Sequence, residues 1–111
     1  MKRHKLHFLF LTVFLSATAY AEILNNLEVA WVVDGDTVHA TKNGQLYKIR
    51  LTEIDAPERD QPFGKQSTDN LKIFLRKGFI DVDLKGQDMY KRHLGRIYVD
   101  GKDINLSLIH I

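Results

Sequence analysis

Apolar and polar positions alternate over much of this chain, and glycine and proline interrupt the alternation at short intervals. Leu27 to Val33 (Leu-Glu-Val-Ala-Trp-Val-Val) is rich in β-branched and aromatic residues and reads as a strand. Asp34-Gly35 is a tight-turn signal. Asp36 to Thr41 resumes as a second strand, Lys42-Asn43-Gly44 turns again, and Gln45 to Ile54 forms a third. On that third strand Tyr47, Ile49 and Leu51 share one face. Lys48, Arg50 and Thr52 share the other, because side chains alternate along a strand. Pro57 and Pro62 fix the segment from Asp55 to Pro62 as a loop.

From Gly64 to Lys77 the period becomes helical. Ser67, Leu71, Phe74, Leu75 and Gly78 fall on one helix face, and Gly78 is a natural stop. Phe79 to Leu84 alternates again, with Ile80, Val82 and Leu84 inward. Lys85 to Lys91 is a polar connection, and Arg92 to Val99 is a fifth strand. Asp100-Gly101 turns the chain, and Asp103 caps a helix that starts at Ile104. This order predicts an α+β fold, mainly β: a five-stranded OB-like antiparallel barrel with a helix between strands 3 and 4 and an incomplete C-terminal helix. Trp31 is expected in the core, with base stacking as the alternative. The apolar end, Leu106 to Ile111, has no downstream partner to pack on, so the chain reads as C-terminally truncated.

Composition changes the picture at the N-terminus. Met1-Lys2-Arg3-His4-Lys5 is basic, Leu6 to Leu15 is apolar apart from His7 and Thr12, and Ala19-Tyr20-Ala21 is a small-x-small site. This is the layout of a signal peptide over residues 1–21, cleaved after Ala21. The apolar run is too short for a spanning helix of roughly 20 residues. The expected product is a secreted or periplasmic monomer, residues 22–111, with no stable membrane association. Beyond Ala21 the chain holds 13 basic and 14 acidic residues. The basicity of the whole sequence therefore belongs largely to the leader, and bulk attraction to nucleic acid is not supported; any nucleic-acid contact has to come from a local cluster. With no cysteine, an exported domain of this size depends on its core alone.

The candidate chemistry lies in charges at strand ends. Asp36 opens strand two and Asp55 follows strand three, so one hairpin end brings them together. Two close carboxylates repel unless a cation sits between them. Oxygen ligands at an open barrel mouth suit calcium, and the residues also admit magnesium. Arg50 lies on the polar face of strand three, and Glu58 lies just beyond Pro57. Phosphodiester hydrolysis needs a group to position or deprotonate water, and positive charge at the non-bridging oxygens. Glu58 suits the first role, and Arg50, a metal and Arg92 suit the second, because planar guanidinium forks bind two phosphate oxygens at once. Lys85, Lys91, Arg92 and Arg96 form the one local basic cluster, either a solvated loop or a phosphate contact.

Val33-Asp34-Gly35-Asp36-Thr37, Ile49-Arg50-Leu51 and Ile54-Asp55-Ala56-Pro57-Glu58 together resemble the staphylococcal nuclease (thermonuclease) family. Asp88-Met89-Tyr90-Lys91-Arg92 and Gly95-Arg96-Ile97-Tyr98-Val99-Asp100-Gly101 extend the resemblance, which runs from about Leu27 to Leu108. It implies an OB-like barrel and calcium-dependent hydrolysis of DNA and RNA that leaves 3′-phosphate ends. By that resemblance Asp36 and Asp55 are calcium (Ca2+) ligands, and Ala56 lends its backbone carbonyl to the metal. Arg50 and Arg92 hold the phosphate, and Glu58 activates water. Asp34 supports the metal site, and Asp88 and Tyr90 lie near the nucleotide's far phosphate. Two features depart from the pattern. Lys91 stands where the family often has glycine, and the family's later aromatic residues and final helix do not follow. A nucleic-acid-binding barrel that does not cut, or an inactive fragment of the nuclease, are the alternatives.

Overall fold

The computed structural model describes residues 22–110; the expected leader, 1–21, lies outside them. The elements are β1 (Glu22–Asp34), β2 (Thr37–Lys42), β3 (Gln45–Leu51), α1 (Gly64–Phe74), β4 (Phe79–Gln87), β5 (His93–Val99), the two-residue β6 (Lys102–Asp103) and α2 (Ile104–Ile109). The sheet order is β3-β2-β1-β4-β5-β6, and β3 also pairs with β5. That last pairing closes five strands into a barrel and is parallel, through Ile49↔His93, Arg50↔Leu94 and Leu51↔Gly95. The expected antiparallel barrel is therefore antiparallel in every ladder but the closing one.

β1 begins five residues earlier than the pattern predicts and serves two partners. Its first half pairs with β4, from Glu22↔Leu84 to Glu28↔Phe79, and its second half with β2. The register shifts between Leu24 and Leu27, where Asn26 takes φ 62° and donates its N–H to Asp81 Oδ1 at 2.8 Å. A second shift lies between Val29 and Trp31. One extra residue in a strand reverses the facing of every residue after it. Leu27 and Val29 face the core, but beyond Ala30 it is Val32 that is buried, while Trp31 is 62% exposed. The core position expected for Trp31 is corrected here: simple alternation was carried through a bulge.

The core otherwise follows the apolar pattern. Val38, Ala40, Ile49, Leu51, Ile80, Val82, Leu84 and Ile97 fill the barrel, and Leu71 and Leu75 of the α1 segment close one end. Helix α1 stops at Phe74 rather than Lys77, and the chain unwinds over three residues before Gly78 at φ 87°. β3 ends at Leu51, not Ile54, because Arg50 Nη1 donates to Leu51 O at 2.7 Å and to Ile54 O, folding the chain back on itself. Asp103 caps α2 as expected, accepting from Leu106 N at 2.9 Å. That helix does find a partner within the described residues. Ile104 is buried and Leu108 packs against the core, while Leu106 and Ile109 stay about half exposed.

Candidate active site

The β2–β3 ladder sets the geometry. Thr37 pairs with Arg50, and Leu51 N donates to Asp36 O at 2.8 Å. Asp36 and Arg50 therefore stand side by side at one end of the barrel. The chain leaving β3 swings back so that Ala56 N donates to Asp36 Oδ2 at 3.0 Å. Arg50 Nη2 lies 3.4 Å from Asp36 Oδ2 and 3.8 Å from Asp55 Oδ1. The two carboxylates expected to approach each other both lie within 4 Å of one guanidinium nitrogen.

Gly35 makes this approach possible, by proximity rather than by turn conformation. Its φ is not positive, so Asp34-Gly35 is not the primed turn that the dipeptide suggests. A Cβ placed there would lie 2.6 Å from Ser67 Cβ and 2.8 Å from Ala56 Cβ. The β1–β2 turn thus presses directly on α1 and on the Asp55–Pro57 loop. Gly64 does the same for Glu58, since a Cβ at Gly64 would overlap the Glu58 carbonyl oxygen at 1.8 Å. Glu58 is further held by its N–H to Gln61 Oε1 at 2.7 Å.

Across the barrel mouth an open cleft of about 580 Å³ is lined by Arg50, Thr52, Asp55, Asp88, Arg92 and Leu94, among others. Asp88 organises its far wall. Its Oδ1 accepts from the N–H groups of Tyr90 and Arg92 at 2.9 and 3.0 Å, and its Oδ2 from Arg92 Nε at 2.8 Å. Burial alone would raise the Asp88 pKa, but these hydrogen bonds and the guanidinium charge outweigh it and hold the carboxyl below the usual range. Asp88 is thus occupied in positioning Arg92. Tyr90 is exposed, and Arg92 Cζ sits 5.5 Å from its ring centroid. Lys91 takes φ 64°, the left-handed conformation that suits glycine.

The structure therefore brings together Asp36, Arg50, Asp55, Asp88 and Arg92. Glu58 stays apart: it is exposed, does not line the cleft, and its carboxylate has no hydrogen bond or ion pair among the described residues. Ala56 meets Asp36 through its N–H. Asp34 accepts from Asp36 N at 3.2 Å, and burial together with its acidic neighbour Asp36 raises its pKa. Pattern reading missed Thr37, whose hydroxyl donates to Asp36 Oδ1 at 2.9 Å, although it sits inside the Asp-Gly-Asp-Thr run. The basic cluster does not form as such. Lys85 pairs with Asp83, Arg92 with Asp88, and Arg96 with Glu53 and Asp103.

The donor chemistry around Asp36 and Asp55 suits a hard, oxygen-seeking cation. Among the described residues no three acidic or histidine side chains cluster as a ready-made cage. An ion there would complete its shell with carbonyl oxygen and water.

Comparison with known proteins fits this arrangement. The model of the staphylococcal nuclease homologue family matches residues 48–111. An uncharacterized endonuclease of Haemophilus influenzae is 35% identical over 100 residues, covering 89% of this chain and 56% of that protein. Protein ParB of Escherichia coli is 31% identical over 104 residues, covering 86% and 58%. A micrococcal nuclease of Shigella flexneri is 38% identical over 71 residues, covering 64% and 41%. The chain spans about half the length of the curated relatives it matches. With the closed barrel, the paired carboxylates beside Arg50 and Arg92 across the cleft, these matches show that the chain belongs to the staphylococcal nuclease homologue family.

Proposed function

We propose that this protein is an exported nuclease that hydrolyses phosphodiester bonds of DNA and RNA with the help of calcium and leaves 3′-phosphate ends. The observation that carries the reading is the convergence of Arg50 and Arg92 on one cleft, with Asp36 and Asp55 beside it. Asp36 and Asp55 are the residues that would hold the cation, which when bound supplies positive charge at a non-bridging phosphate oxygen. Arg50 is clamped by the carbonyls of Leu51 and Ile54 and keeps Nη2 toward the carboxylates. Arg92 is aimed by Asp88. Both guanidiniums are preorganised to bind phosphate oxygens as charge builds on them. Glu58 lies outside the cleft lining, on the loop that follows Asp55, and with its carboxylate unengaged it is the group that would take the proton of the attacking water. Water oxygen bonds to phosphorus, the bond from phosphorus to the 5′-oxygen breaks, and that oxygen takes a proton from solvent water to leave as a hydroxyl, while Glu58 returns its proton to solvent.

Export is supported by the basic and apolar pattern of residues 1–21, and its test is the N-terminal residue of the protein recovered outside the cytoplasm. Glu22 is expected there. The chemistry is tested by digesting single-stranded DNA with calcium and with chelator. Glu58→Gln is expected to cut at least about a hundredfold more slowly while still binding DNA, in line with the loss of a general base. Equal rates in that variant, or cleavage unaffected by chelator, would overturn the mechanism.

A further inference from the structure

We infer that Trp31 and His39, with Lys48 beside them, form a second nucleic-acid subsite that stacks a base of a single strand running out of the cleft. The inference rests on the nuclease reading above and extends it to the path of the substrate. Its starting point is the bulge at Ala30, which turns Trp31 out of the core and leaves it 62% exposed. Bulges of this kind re-aim a side chain near functional sites. Trp31 does not stand alone on the surface. Its ring lies against His39 with centroids 5.9 Å apart and planes 26° from parallel. A large, mostly exposed aromatic ring is thereby braced against a neighbour.

Register connects this pair to the cleft. Trp31 pairs with His39 across β1–β2, and His39 pairs with Lys48 across β2–β3. The next row on the same outer face is Thr37 and Arg50. Two residues along a strand span about 7 Å, and neighbouring strands lie about 4.8 Å apart. A strand whose phosphate sits at Arg50 can therefore place its next phosphate near Lys48 and lay a base on Trp31. Lys48 is exposed and has no ion pair among the described residues, so its charge is available. Flat aromatic faces beside a cation bind bases with little regard to sequence, because every base presents a π-face.

The Trp31 indole is the only one in the chain, so its fluorescence reports on this site alone. The full chain is titrated in chelator with a dodecamer of thymidylate and, separately, with a thymidine dinucleotide. Strong quenching by the dodecamer and little by the dinucleotide is expected. Trp31→Ala is expected to bind the dodecamer roughly tenfold more weakly, and Trp31→Phe to retain most of the affinity. Lys48→Gln is expected to lower the slope of log affinity against log salt by about 0.7. Dinucleotide hydrolysis with calcium is expected to be unchanged in Trp31→Ala. Dodecamer affinity equal in Trp31→Ala and the unaltered chain overturns the inference and leaves the nuclease reading standing. Quenching by the dodecamer without hydrolysis of either substrate supports the stacking site and removes the nuclease reading.

Discussion

A lysine at φ 64° sits one residue before the guanidinium that faces the cleft. A side chain in the left-handed region costs about 1–2 kcal/mol, and here the Asp88 hydrogen bonds to the N–H groups of Tyr90 and Arg92 enforce the conformation. Lys91→Gly relieves the strain but loosens the unfolded chain, which returns part of the gain. The net expectation is a stabilisation of up to about 1 kcal/mol. For a domain of this size that is a rise of several degrees in unfolding temperature, readable by circular dichroism. A lower unfolding temperature would mean that Lys91 makes a compensating contact. The sequence carried half of this result. It marked Lys91 as a residue in a glycine position, but only the folded loop gives the dihedral that makes the substitution matter.

At the scale of elements, α2 is tied to the loop that leads to Asp55 by one fully buried side chain. Asn105 Nδ2 donates to Thr52 O at 2.9 Å and Gly95 O at 3.2 Å, and Asn105 Oδ1 accepts from Ile97 N at 3.0 Å. Arg96 adds an outer brace, reaching Glu53 and Asp103, each at 2.6 Å. Thr52 and Glu53 are the residues that turn the chain from β3 toward Asp55. The C-terminal helix thus fixes the loop that carries one of the two paired carboxylates. Asn105→Ala leaves buried backbone groups without partners, and it is expected to destabilise by about 2–3 kcal/mol. The check is denaturant unfolding, together with DNA cleavage at a temperature where the variant is still folded. A loss of activity there, beyond the loss of stability, is the signature of a misplaced Asp55 loop. Nothing in the spacing of Asn105 announces this role. It lies in a short apolar helix, and its partners are 8 to 53 residues away in sequence.

The whole molecule has a predictable acid limit. Asp103 is buried enough that desolvation alone would raise its pKa, but the Arg96 guanidinium and the Leu106 N–H outweigh this and hold it below its ordinary value of 3.8. Asp88 is held low in the same sense by the Arg92 loop. A carboxyl with a depressed folded pKa contributes stability that is fully present above the unfolded value. That contribution is lost as pH falls through the folded one. Unfolding temperature is therefore expected to begin falling below about pH 4, a fall that Asp34, with its raised pKa, opposes in part. Asp103→Asn should flatten this acid fall and lower stability at neutral pH. An acid profile identical to that of the unaltered chain would show that the Arg96–Asp103 pair adds nothing. The barrel has no disulfide to fall back on, so such pairs weigh more than they would in a stapled domain.

By itself the sequence determined the strand order, the inward rows of Ile49, Leu51, Ile80, Val82 and Leu84, the Asp103 cap and the meeting of Asp36 with Asp55. These are consequences of local periodicity and of antiparallel neighbours sharing their ends. Tertiary structure decided the parallel β3–β5 closure that faces Arg50 toward Arg92, the pairing of Arg92 with Asp88, and the outward turn of Trp31. Each depends on contacts between segments distant in the chain or on a single inserted residue in a ladder. Alternation along one strand carries no record of either.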